Sequence, residues 1–213
     1  MQTVDVLIVD DHEIVRLGIR RLLEQADYSV AEADCGEAAL QLTRDGLQPR
    51  VVLMDIHMPG IGGLEATRRL LLRQPDSRII ILTVVSDGPL PRALLKAGAH
   101  GYLTKGCSLD EMTRAIRRVT AGERHISSEV AQSLALSLLD ADGESPFDQL
   151  STRELQFVVL LSQGLRNNAI AATMNVSTKT VSTYRARAST KLGVSSEAQL
   201  IRLALEHGVA GRA

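Results

Sequence analysis

The chain has 213 residues, 45% of them hydrophobic and 23% charged, with a net charge of −1. That is enough apolar material for one large or two small cores, and no apolar run approaches the ~18 to 20 residues a membrane span needs. Aromatics are 2% of the chain and tryptophan is absent, which argues against recognition of single-stranded nucleic acid by base stacking.

The near-neutral total conceals an asymmetry. Residues 1–145 carry 21 acidic and 16 basic side chains, net −5, whereas residues 146–213 carry 4 and 8, net +4. An acidic front and a basic back suggest two domains with different partners. Cys35 and Cys107 show neither metal spacing nor a disulfide framework, and no signal-peptide pattern leads the first apolar run. A cytoplasmic location is expected.

In chain order, "VDVLIVD", "YSVAEA", "VVLMD", "RIIILTV" and "HGYLT" read as five strands. Amphipathic stretches near Glu13–Gln25, Cys35–Asp45, Leu64–Gln74, Pro89–Ala97 and Ser108–Ala121 alternate with them. Alternation of this kind with short connections predicts an α/β domain over residues 3–121, a doubly wound five-stranded parallel sheet. Ser108 and Glu111 form a capping-box pattern, and Pro89 and Pro91 fall in a first helical turn, where proline is tolerated. Residues 122–146 read as a linker with a helix near Ser127–Leu139, followed by the acid-, Gly-, Ser- and Pro-containing "DADGESPFD". Residues 147–211 then read as all-α. A capping box at Ser151 and Glu154 starts a helix to about Ser162, and Asn167–Met174, Ser177–Leu192 and Ser196–His207 follow.

In a parallel α/β sheet the carboxyl ends of the strands form the functional crevice. Asp10 and Asp11 close the first strand, Asp55 the third, Thr83 the fourth and Lys105 the fifth. With strands one and three adjacent, three carboxylates crowd one pocket with a hydroxyl and an ammonium at its rim. Crowded carboxylates repel unless a cation joins them, and Mg²⁺, a hard ion that takes oxygen ligands, suits the set. A carboxylate beside Mg²⁺ and a lysine has the parts for phosphoryl transfer. One strand-end acid is usually structural; the conjunction at four strand ends points to chemistry.

In the second half, "NNAIAATMNVSTKTVSTYRARASTKLGV" has the form helix, turn, helix. Ala171 and Val176 are the expected buried contacts across the turn, and Ser177 the expected cap. The second helix would expose Lys179, Ser182, Thr183, Tyr184, Arg185 and Arg187, with Lys191 near its end. Positive charge and hydroxyls on one helix suit phosphates and base edges in a major groove.

These motifs carry a resemblance. "VDD", "LMDIHMPGIGG", "ILTV" and "GYLTKG", in this order and spacing, resemble the flavodoxin-like receiver domain of two-component response regulators. The resemblance implies that Asp55 accepts a phosphoryl group from a sensor histidine kinase. It further implies that Asp10, Asp11, Asp55 and the backbone carbonyl of His57 bind Mg²⁺, that Lys105 and Thr83 contact the phosphoryl oxygens, and that Tyr102 is the aromatic that turns inward with them. Gly106 stands where many receivers have proline, so no cis bond is expected there. His57 and Val85, each two residues beyond a site residue, flank the path of an attacking water and should set the phosphoryl lifetime. The simplest role for His57 itself is to donate its carbonyl.

"LSTRELQFVVLLSQG" and "TVSTYRARASTKLGV" resemble the helix-turn-helix domain of NarL/LuxR (FixJ) type. Arg166-Asn167-Asn168-Ala169-Ile170-Ala171 departs from the frequent Ser-Asn-Lys-Glu-Ile-Ala, and Thr180-Val181-Ser182-Thr183-Tyr184 from Thr-Val-Lys-x-His, so base preference should differ from the average member. With "MPGIGGLEATRRLL" and "SPFD", the chain is most similar to the GacA/UvrY branch of global regulators. That implies a hybrid sensor kinase as phosphodonor, promoters of regulatory small RNAs as targets, and a homodimer, through Ser196–His207, on double-stranded DNA. Without phosphate, the receiver is expected to cover the recognition helix or block dimerisation. An enzyme is not expected: hydrolases of the haloacid-dehalogenase type need a second aspartate where His57 stands. A constitutive DNA-binding regulator with a vestigial receiver is the other alternative, against which the full set Asp10, Asp11, Asp55, Thr83 and Lys105 argues.

Overall fold

The apolar runs of the first half pair in parallel, in the order β2-β1-β3-β4-β5-β6. The structure is a computed structural model that describes residues 2–84, 89–139, 145–207 and 209. The strands are β1 (Gln2–Val9), β2 (Val30–Ala33), β3 (Leu47–Met54), β4 (Arg78–Thr83), β5 (Gly101–Thr104) and β6 (His125–Ile126). Helices α1 (Glu13–Gln25), α2 (Gly36–Arg44), α3 (Gly62–Arg73), α4 (Pro89–Lys96) and α5 (Leu109–Thr120) connect them, and α6 (Ser128–Leu139) follows. Side chains alternate across the pleat. Val6 and Ile8 of β1 pack with Leu53, Leu82 and Leu103 under α1 and α5, whereas Leu7 and Val9 pack with Met54 and Ile81 on the other face.

A sixth strand was not expected. His125 and Ile126 pair with Gly101 and Tyr102 inside the stretch read as linker. Two residues carry no periodic signal, so only the docking of the chain along β5 makes them a strand; it also covers an edge that would otherwise be open. β3 likewise begins at Leu47, four residues before the apolar run, because Leu47 to Pro49 find partners in Gln2 to Val4. Helix bounds agree with the sequence reading within two residues. Val85, residues 140–144 of the linker and residues 210–213 lie outside the described residues.

The second half holds a 3-10 turn (Pro146–Gln149) and helices α7 (Thr152–Ser162), α8 (Asn167–Met174), α9 (Thr178–Leu192) and α10 (Glu197–Glu206). Ser151 and Glu154 form both halves of the expected capping box. At α5 the serine half is present, Ser108 Oγ accepting from Glu111 N. Between α8 and α9, Asn175 takes the left-handed conformation (φ 52°, ψ 52°) that turns the chain, and Val176 N returns to the Ala171 carbonyl at 3.0 Å. Ser177 caps α9 through Thr180 N at 3.1 Å. Val181 and Ala188 bury the inner face of α9 against Ile170, Met174 and Phe157.

Candidate functional site

Strand register assembles the acidic site. Val9 lies opposite Met54, so the next residues, Asp10 and Asp55, leave the sheet side by side. Thr83 lies opposite Thr104, which brings Lys105 to the same edge. Backbone bonds from Asp55 N to Val9 O and from Lys105 N to Thr83 O, both 2.8 Å, hold the strand ends together. Gly63 completes the corner. A Cβ there would run into the Asp55 carbonyl, and its N–H donates to the Ile56 carbonyl at 3.0 Å. Only glycine lets α3 start this close to the strand.

Lys105 Nζ is 2.8 Å from Asp55 Oδ2 and 2.8 Å from Asp10 Oδ2, the contact to Asp10 lying off the direction of a well-formed hydrogen bond. Both acids are buried, at 3% and 2% exposure. Asp55 Oδ1 accepts from Ile56 N at 2.7 Å and more loosely from His57 N at 3.4 Å. Asp10 Oδ1 accepts from His12 N at 2.8 Å, and Asp11 Oδ1 lies 2.9 Å from His12 Nδ1. Burial opposes the charge on Lys105, but hydrogen bonds and Coulomb attraction from Asp10 and Asp55 outweigh it and raise its pKa. Burial lowers the pKa of His57, with Lys105 acting in the same direction, against the pull of Asp55 and Asp11.

Donor atoms of Asp10, Asp11, His12 and Asp55 lie within 4.8 Å of one another. Three hard oxygen donors that close, two of them (Asp10 Oδ2 and Asp11 Oδ1) buried with no well-formed hydrogen bond although Lys105 and His12 lie 2.8 Å and 2.9 Å away, fit a divalent ion such as Mg²⁺. His12, exposed at the rim, was not anticipated as part of the cluster; its place after "VDD" was the available signal. Thr83 and Tyr102 are wholly buried, so the tyrosine already faces inward. No described peptide bond is cis, as expected for Gly106 after Lys105.

The basic helix divides into two groups. Lys179, Ser182, Thr183 and Arg187 are exposed on one face, spaced to follow the helical turn. Ser182 and Thr183 also bond back to the carbonyls of Thr178 and Lys179 at 3.1 Å. Tyr184 and Arg185 are half-buried, and Arg185 reaches Asn167 and Glu197. Lys191, expected near the end of the helix, is exposed there and pairs with buried Glu154 at 2.6 Å.

The two halves touch beside the acidic site. Gly60 N donates to the Thr173 carbonyl of α8, and Gln156 Nε2 of α7 donates to the Gly60 carbonyl at 3.4 Å. Asp148 of the 3-10 turn lies 2.9 Å from Arg92 and 3.3 Å from Lys96 of α4. Ile56, Met58, Leu64, Leu90, Val159 and Leu160 line a cavity of about 350 Å³ between the halves. The first half thus grips α7, α8 and the preceding turn, while the outward positions of α9 stay exposed. Among the described residues, the apolar contacts between the halves lie on α7, whereas Lys179, Ser182, Thr183 and Arg187 of α9 are exposed.

Comparison with known proteins agrees with both halves. Residues 6–117 match the response regulator receiver domain, and residues 148–204 the bacterial regulatory proteins of the luxR family. The chain is 48% identical to the response regulator GacA of Pseudomonas aeruginosa over 209 residues, 97% of each chain. It is 47% identical to the response regulator UvrY of Escherichia coli K12, covering 97% of this chain and 95% of that one. Among solved structures, RcsB from Salmonella enterica serovar Typhimurium, bound to promoter DNA in the presence of the phosphomimetic BeF3−, superposes with a TM-score of 0.68 at 28% identity, covering 95% of this chain and 98% of that one. Among the described residues, no helix is long and apolar enough to cross a membrane. The chain belongs to the two-component response regulators with a LuxR-type DNA-binding domain, and GacA and UvrY are among its relatives.

Proposed function

We propose that this protein is a phosphorylation-dependent DNA-binding transcriptional regulator in which Asp55 is the phosphoacceptor. The observation that carries the reading is Lys105, held 2.8 Å from both Asp10 and Asp55 at the strand ends, on a chain that also displays a basic helix. Asp10, Asp11, Asp55 and the His57 carbonyl would hold Mg²⁺, which supplies charge neutralisation to the phosphoryl oxygens. An Asp55 oxygen attacks phosphorus of a phosphohistidine in the sensor kinase; the P–N bond breaks, the P–O bond forms and the imidazole leaves. The Lys105 ammonium then neutralises the added charge, and the Thr83 hydroxyl offers a hydrogen bond. Asp55→Asn should take no label from a small acyl phosphate in Mg²⁺; persistent labelling would place the nucleophile elsewhere.

Transmission runs through the loop that follows Asp55. Gly60, five residues on, seats α7 and α8, and α4 carries the cations facing Asp148. A phosphoryl group at Asp55 adds charge beside this loop and biases its grip on the DNA-binding half. Domains divide as 3–121, a 122–146 linker and 147–211. Lys179, Ser182, Thr183, Tyr184, Arg185 and Arg187 face DNA, with two copies paired through α10 on a two-fold site. A hybrid-type sensor kinase as donor, small-RNA promoters as targets and a cytoplasmic location complete the reading, which the likeness to GacA and UvrY supports. The chain acts as a substrate of phosphoryl transfer, not as an enzyme with turnover.

A further inference from the structure

Arg185 holds an unusual position for a residue on a DNA-facing helix. Its terminal nitrogen is 2.6 Å from Glu197 Oε2, in the first turn of α10, and 2.7 Å from Asn167 Oδ1, at the start of α8. Its Nε is buried without a hydrogen-bond partner. Around the pair lies a hollow of about 320 Å³ lined by Arg166, Asn167, Asn168, Arg185 and Glu197. Two guanidinium groups and two amides would suit a phosphodiester, and Glu197 is the sole anion among them. A carboxylate on the guanidinium therefore stands where a backbone phosphate would otherwise pair.

We propose that Glu197 competes with the DNA backbone for Arg185 and so lowers sequence-independent binding, making it a specificity-determining residue of the DNA-binding half. The inference rests on the DNA-binding reading above. Glu197 and Arg185 are 44% and 36% exposed, so water screens their attraction and the pair is easily exchanged. The field of a duplex offers Arg185 a phosphate together with release of a counterion. Exchange occurs only where the rest of α9 seats well enough to bring that phosphate within reach. Loose, non-cognate encounters leave Arg185 on Glu197.

The test uses the full chain and a labelled mixed-sequence duplex of about 30 base pairs, followed by fluorescence anisotropy across a salt series. Wild type, Glu197→Gln, Arg185→Gln and the double variant are compared. Glu197→Gln is expected to bind up to about fivefold tighter near 0.1 M salt, the upper range for freeing an exposed pair. Its plot of log affinity against log salt should steepen by about 0.9, one additional phosphate. In the Arg185→Gln background the same change should leave the slope unaltered. An unaltered slope in Glu197→Gln, or an equal gain in both backgrounds, would overturn the proposal, since Glu197 would then act through net charge alone. If no variant bound duplex even near 50 mM salt, the DNA-binding reading would fall and the inference with it.

Discussion

Lys105→Met removes the one ammonium placed between two buried acids, with contacts of 2.8 Å to each. Deleting one partner of a buried ionic cluster costs about 3 to 5 kcal/mol, because the remaining charges are left without compensation. An upper limit follows from protonation, the alternative open to the variant. Holding a proton at pH 7 on an acid of ordinary pKa near 3.9 costs about 4 kcal/mol. The expected loss is therefore about 3 to 4 kcal/mol for the receiver at pH 7 in EDTA. In wild type, Lys105 has a raised folded pKa, so its contribution is complete below the ordinary lysine value and lost only as pH rises through the raised one. Across neutral pH it is constant. Mg²⁺ held by the acids as proposed would bind only the folded receiver, and at saturation should restore more stability to the variant than it adds to wild type. Urea unfolding of the full chain by circular dichroism, at several pH values with and without Mg²⁺, measures all three quantities. A loss below about 1 kcal/mol in EDTA, or an equal Mg²⁺ increment for both proteins, would refute the view that charge holds these acids together.

Other perturbations test other links. Gly63→Ala places a methyl against the Asp55 carbonyl; it should cost about 1 to 3 kcal/mol and depress acyl-phosphate labelling, and full labelling would show that the corner can yield. Asp148→Asn removes the shared partner of Arg92 and Lys96. These contacts are partly exposed, so unphosphorylated DNA affinity should rise by no more than about fivefold in a binding titration, and a fall would reverse the assigned role of the contact. Glu154→Gln breaks the bridge to Lys191 and should lower the stability of the DNA-binding half by about 1 to 3 kcal/mol, read from its melting. Although burial works against its charge, bonds from Lys191 and Ser151 leave Glu154 with a lowered pKa. Its contribution is then present above the ordinary glutamate value and lost as pH falls through the lowered one, so wild type and variant should converge in strong acid.

Much of the molecule could be read from local pattern. The runs leading to Asp10, Asp55, Thr83 and Lys105 announced four strands and the polar side chains at their ends, because a continuous apolar run and the residue that closes it are adjacent in the chain. Capping serines at positions 108, 151 and 177 marked helix starts for the same reason, each bonding three residues ahead. What escaped has long reach. His125–Ile126 is a strand only through its pairing with β5, and His12 joins the acidic cluster only once α1 is placed.

The amino-acid order alone determined the helices and the first five strands, which acids stand at strand ends and where positive charge concentrates. Those properties follow from neighbours within about a turn or a pleat. Tertiary structure alone decided which polar groups find partners within the protein. Lys191 meets Glu154 across 37 residues of chain, Arg185 meets Asn167 across 18, and Gly60 meets Gln156 across 96. A lysine or arginine reads the same in sequence whether it faces solvent, phosphate or a buried carboxylate; the packing of helices from distant segments selects the partner.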